Sequence, residues 1–183
     1  MVGLTWDRML SQRWLGGAMV AASLWLTGAG VMALPSPSTP LVAASRQTHG
    51  YNNLFTIEFP TDWQVSQQTQ APQVTALTTP TATPAMRTEI TWHERPPAEV
   101  VPPALQAIEA NGYNVASYDA VSIDNTTALR IWLTNLPEDL PNALMSYIGY
   151  PSHTAVIVTY YNGQSTDVDN LISSIHQSFQ RLP

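Results

Sequence analysis

A chain of 183 residues with 44% apolar and only 11% charged residues has the size and composition of one globular domain, not of a disordered or fibrous chain. It has no cysteine, which excludes disulfides, thiolate metal sites, iron–sulfur clusters, thiol catalysis and a lipid-modified N-terminal cysteine. The net charge is −6 with no lysine, which speaks against nucleic acid or anionic lipid as partner, because both need clustered positive charge.

The N-terminus reads as a secretory signal. Arg8 and Arg13 form a basic start, Leu15 to Met32 is uncharged and apolar, and Val31-Met32-Ala33 ends in a small residue suited to cleavage. The run is also about the roughly 20 residues that span a bilayer, so an uncleaved membrane anchor is the alternative. Glycines within it and Pro35 and Pro37 after it favour cleavage. Either way, the rest of the chain is expected outside the cytoplasm. Residues 34–48 hold three prolines and no apolar period and read as a linker, so the domain is expected over 49–183. Losing residues 1–33 removes Arg8, Arg13 and Asp7, leaving five arginines against twelve acids, a net charge of −7. That balance suits docking on a basic protein surface.

Within the domain, Leu54 to Phe59 alternates apolar and polar, which predicts a half-buried strand ended by Pro60. Trp63-Gln64-Val65 starts a second strand, and Val74 to Thr79 is a third. Met86 to Arg95 alternates clearly, with Met86, Thr88, Ile90 and Trp92 on one face. A helix follows, with Pro102-Pro103 in its first turn, Ala104, Leu105, Ala107 and Ile108 as its apolar face, and Asn111-Gly112 as its stop. Tyr113 to Ile123 and Thr126 to Leu133 flank the turn signal Asp124-Asn125 and read as a hairpin. Ala143 to Gly149 and Thr154 to Tyr161 are the last strands expected. The run Ala155 to Val158, apolar on both faces, predicts a central strand. In the final helix Thr166 serves as N-cap with Asp169 three residues on, and Val168, Leu171, Ile172, Ile175, Phe179 and Leu182 form one apolar stripe. Hairpins, a helix, hairpins again and a closing helix predict an α+β domain: an antiparallel sheet sandwiched by helices.

The opening Phe55-Thr56-Ile57-Glu58-Phe59-Pro60-Thr61-Asp62-Trp63 resembles the aromatic strand, proline, turn and tryptophan that begin the PsbP-like family. The strand Thr154–Tyr161 followed by a helix ending Ile175-His176-Gln177-Ser178-Phe179 resembles that family's close, where a Ser-Phe pair recurs. The similarity in element order covers about residues 50–182. It implies an α/β/α sandwich in an exported, non-catalytic binding or assembly protein of the thylakoid lumen or periplasm. The implied partner is a membrane protein complex, a component of photosystem II if the source is an oxygenic phototroph.

No catalytic pattern stands beside this. The chain has no Gly-x-Ser-x-Gly elbow and no glycine-rich phosphate loop, Glu138-Asp139 read as solvated, and no enzymatic activity is expected. Glu89 and His93 share a strand face, four residues apart, and would need His153 or His49 to complete a divalent-metal site. An exposed charged face explains them more simply. His176, beside the apolar stripe, reads as a boundary residue bonded to the backbone. Alternation points Tyr160 and Tyr161 to opposite faces, so Tyr160, Tyr161 and Arg95 are the candidate partner contacts. No cofactor is evident. A periplasmic carrier of a small ligand or metal is the alternative function.

Overall fold

The computed structural model describes residues 45–137, 139–163 and 165–183, all within the unit Thr39–Pro183. The expected signal or anchor, most of the linker and Glu138 lie outside the described residues. In chain order the elements are β1 (Arg46–Tyr51), β2 (Phe55–Pro60), β3 (Gln64–Gln67), β4 (Val74–Leu77), β5 (Met86–His93), α1 (Pro97–Ala110), β6 (Asn114–Ile123), β7 (Thr126–Thr134), β8 (Asn142–Gly149), β9 (Thr154–Tyr161), α2 (Thr166–Gln177) and β10 (Gln180–Arg181). They make a seven-stranded sheet in the order β3-β4-β5-β9-β8-β7-β6 and a three-stranded sheet in the order β1-β2-β10. Every pairing is antiparallel.

Period-two alternation decides what each face of the large sheet buries. Ile90, Ala155, Ile157, Leu144 and Ile148 share one core with Val168, Ile172 and Ile175 of α2 and Phe55, Ile57 and Phe59 of β2. On the opposite face Val156, Val158, Tyr147 and Ile131 share a second core with Val100 and Ile108 of α1. The molecule is therefore the expected α+β sandwich, with the small sheet added on the α2 side. β9 lies between β5 and β8 and is buried on both faces, as its apolar run predicts. Each α2 side chain so buried stabilises the fold by about 1.5–3 kcal/mol.

The Ser178-Phe179 pair closes the structure. Ser178 Oγ accepts from Glu58 N at 2.9 Å and donates to Ile175 O at 2.7 Å. It thus serves the end of α2 and β2 together. Phe179 is fully buried with its ring centroid 5.1 Å from that of Phe55.

The structure departs from the sequence reading at several boundaries. Arg46 to Thr48, read as linker, belong to β1 and pair with Glu58 to Pro60. α1 begins at Pro97, so Pro102 and Pro103 lie inside it and not in its first turn. They withdraw two amide donors, and the carbonyls these would have served belong to exposed Ala98 and Glu99, where water can take the bonds. Leu105 is 40% exposed, and only Val100 and Ile108 of α1 are buried. The N-cap of α2 is Ser165, not Thr166: its hydroxyl accepts from Val168 N at 3.3 Å. β5 stops at His93, β4 at Leu77, and the two-residue β10 carried no sequence signal.

Candidate docking surface

The large sheet has two edges with different characters. β3 is a four-residue edge, Gln64-Val65-Ser66-Gln67, mostly polar. β6 is a ten-residue edge on which every residue from Asn114 to Ala120 is exposed. Exposure of that stretch runs over both faces, because α1 and α2 lie mainly over the sheet's central strands and α2 only skirts β6. Tyr118 is 74% and Val115 44% exposed.

The turn after β6 sets the phase of its backbone. Asp124 and Asn125 have φ of +52° and +56°, a two-residue turn of the type whose twist suits a hairpin. In such a hairpin the closing pair Ile123↔Thr126 exchanges both hydrogen bonds, and bonded and unbonded pairs then alternate. Val121, Asp119 and Ser117 therefore bond to β7. Ser122, Ala120 and Tyr118 turn their N–H and C=O groups outward. A bulge between Val115 and Ser117 puts Val115 on the face of Tyr118 and not that of Ser117, against simple alternation.

The strand is exposed yet held. Asp124 Oδ2 accepts from Tyr150 Oη at 2.6 Å and from Arg181 N at 3.1 Å, and Arg181 lies over the Tyr150 ring at 5.2 Å. Burial and this carboxylate push the Tyr150 phenol well above its ordinary pKa. At the bulged end an open groove of about 490 Å³ runs between Ser117 and Trp132 on the sheet and Thr166 and Asp169 on α2.

A polar chain lies under α2. Ser146 Oγ is 2.7 Å from His176 Nδ1, Thr159 Oγ1 is 2.9 Å from His176 Nε2, and Thr88 Oγ1 is 2.7 Å from Thr159 Oγ1. All four residues are fully buried. Burial first and the Arg130 charge second lower the His176 pKa to about 3, so the ring is neutral. His176 is thus a core residue bonded to side chains, not the backbone-bonded boundary residue expected. A serine bonded to a histidine has the parts of a nucleophile, but this pair has no exposed surface to meet a substrate. Arg130 faces Ser146 and Asp119 across the strands and is only 5% exposed. Its Nε and Nη2 find no hydrogen-bond acceptor among the described residues.

The residues singled out from sequence do not converge. Glu89 is paired with Arg87, Oε1 to Nε at 3.0 Å. His93 ends β5 on the same face, its pKa lowered by partial burial and by Arg95. His153 stacks on Trp92 from the other face, with centroids 5.3 Å apart, and bonds Ser152 Oγ at 2.8 Å. His49 lies in β1 against Phe59. No three of the described His, Asp and Glu residues approach closely enough to hold a metal. Tyr160 and Tyr161 do face opposite ways. Tyr160 sits under Arg87 at 4.7 Å, while Tyr161 is buried with its hydroxyl 3.4 Å from Asp169 Oδ1, which removes it as a surface contact. Arg95 is exposed, its carbonyl accepting from Thr154 Oγ1 at 2.9 Å. The most exposed tyrosine is Tyr118, which composition marks no more than its neighbours.

No protein-family model and no curated protein matches the chain. Among solved structures, that of cyanobacterial PsbP (CyanoP) from Synechocystis sp. PCC 6803 is similar with a TM-score of 0.55 at 14% identity, over 85% of this chain and 98% of that one. LpqN, involved in cell envelope biogenesis of Mycobacterium tuberculosis, aligns with a TM-score of 0.48 at 14% identity, over 76% of this chain and 91% of that one. At such identity the likeness to CyanoP is one of fold, and this chain has the PsbP-like α+β fold.

Proposed function

We propose that this chain is an exported, non-catalytic docking or assembly protein that acts on a membrane-associated protein complex. One observation carries the reading: a ten-residue edge strand that is exposed on both faces yet anchored at its turn. The N-terminal segment supports export, and the CyanoP-like fold is compatible with such a role. The finer form of the reading makes the partner a component of photosystem II in the thylakoid lumen, or a comparable periplasmic complex. Affinity purification of the tagged full chain from mildly solubilised membranes, followed by mass spectrometry, tests it. Subunits of one membrane complex, recovered in constant ratio, are expected. Recovery of the protein alone from several solubilised membranes overturns the reading.

A second reading, a carrier of a small apolar ligand, is favoured by a cleft of about 190 Å³ under α1. Ala104 and Ala107 leave space there above Met145, Val158 and Tyr160. Saturable fluorescence of N-phenyl-1-naphthylamine, lost in Ala104→Phe, is its expected signature. No enhancement with the unaltered protein rejects it.

A further inference from the structure

We propose that β6 takes up an added strand: an extended segment of another protein, apolar on the Tyr118 face and basic on the Asp119 face. The proposal rests on the docking reading above and specifies how that partner is held.

The backbone supplies the affinity. Tyr118, Ala120 and Ser122 present their N–H and C=O groups outward at every second residue, the spacing an incoming strand needs. Proteins usually guard such an edge by shortness, lysine, proline or a bulge. β3 is guarded by length, whereas β6 contains no lysine, arginine or proline, and its bulge leaves Ser117 to Ile123 regular. The strand is also preorganised through Asp124, so little conformational freedom is lost when a segment binds.

Side chains supply the selectivity. Tyr118, Ala120 and Val115 make one face apolar, and Asp119 puts a carboxylate on the other. The fold engages most of its own positive charge: Arg46 bonds Ser174, Arg87 pairs with Glu89, Arg130 is buried and Arg181 lies on Tyr150. The domain's excess of twelve acids over five arginines is therefore turned toward partners, which favours a basic segment. The same excess disfavours a second copy. An antiparallel pair of β6 strands centred on Ala120 would set each Asp119 diagonally across from the other, between two domains of like charge.

Amide exchange on the full chain tests the proposal, with a nine-residue peptide of alternating arginine and valine, acetylated and amidated, as the probe. In the free protein the amides of Tyr118, Ala120 and Ser122 should exchange at least tenfold faster than those of Ser117, Asp119 and Val121. Adding the peptide should protect those three. Ala120→Pro should abolish binding while keeping the fold, because that N–H makes no bond to β7. Asp119→Lys should reverse the preference toward a peptide alternating glutamate and valine, and needs no proline. The proposal is overturned by an absence of saturable binding of either peptide, by protection elsewhere, or by unchanged binding in Ala120→Pro. It is equally overturned if those amides are already protected in the free protein, or if sedimentation shows a dimer that protects them. A membrane complex recovered equally by wild type and Ala120→Pro leaves the docking reading standing and removes strand addition. Recovery of nothing by the wild type removes the docking reading itself.

Discussion

Phe55→Ala is expected to lower the unfolding free energy by about 3–5 kcal/mol, the range for emptying a large aromatic site in a core. Phe55 is fully buried, and its ring lies 5.1 Å from Phe179, 5.5 Å from Tyr51 and 6.1 Å from Trp92. Those neighbours belong to the segment after α2, to β1 and to β5, so one side chain joins the small sheet, the chain's end and the large sheet. β10 pairs with Thr56 and Phe55 themselves, which leaves the backbone little freedom to collapse into the space. For a domain of ordinary stability, about 5–15 kcal/mol, this is a large fraction of the whole. Urea titration of the two proteins reads the difference in midpoint at constant slope. A loss under 1 kcal/mol would mean that the small sheet does not unfold together with the large one.

The second large effect is a loss of stability in mild acid through His176. Its folded pKa is about 3, held down by burial and by Arg130, against about 6.5 in the unfolded chain. Above about pH 6.5 the ring is neutral in both states and its contribution is fully present. As pH falls through 6.5 the unfolded chain takes up a proton that the fold refuses, and stability drops until pH nears 3. Between pH 7.5 and 5.0 this amounts to about 2 kcal/mol. The groups around the ring are Ser146, Thr159 and the Arg130 charge, none of which titrates in that window. His93, also lowered, acts with the same sign, but it is present in wild type and variant alike. Urea midpoints of wild type and His176→Gln across that range should converge as pH falls, because the variant starts weaker and has less to lose. Should the variant not fold, the His176 ring resonances of the native protein should stay unshifted from pH 7.5 to 5.0. A shift centred near pH 6 would place the ring in contact with solvent.

Much of this architecture was open to reading because local periodicity reports burial. The alternation of Met86, Thr88, Ile90 and Trp92, the stripe from Val168 to Ile175, and the turn at Asp124-Asn125 each recur in the structure where sequence puts them. Sequence also carried the hint of the buried polar chain, since Thr88 interrupts an apolar face and His176 follows Ile175 on a helical stripe. Which partners those groups would find was not readable, because Ser146 and Thr159 come from strands 30 and 17 residues away from His176. The docking edge was hidden for a related reason. Alternation says which side chains share a face, but not whether a strand has one neighbour or two, and Asn114 to Ile123 reads much like other strands of the same sheet. The apolar run of β9 marks it as central, but β6 falls at the rim only once every pairing competes for the same apolar surface. The sequence by itself therefore determined most of the elements, their inward faces and the acidic, cysteine-free character of this protein, but not β1 or β10. Only the tertiary structure decided which strands lie at the edges of the large sheet, because strand order depends on contacts between distant residues that no local period records.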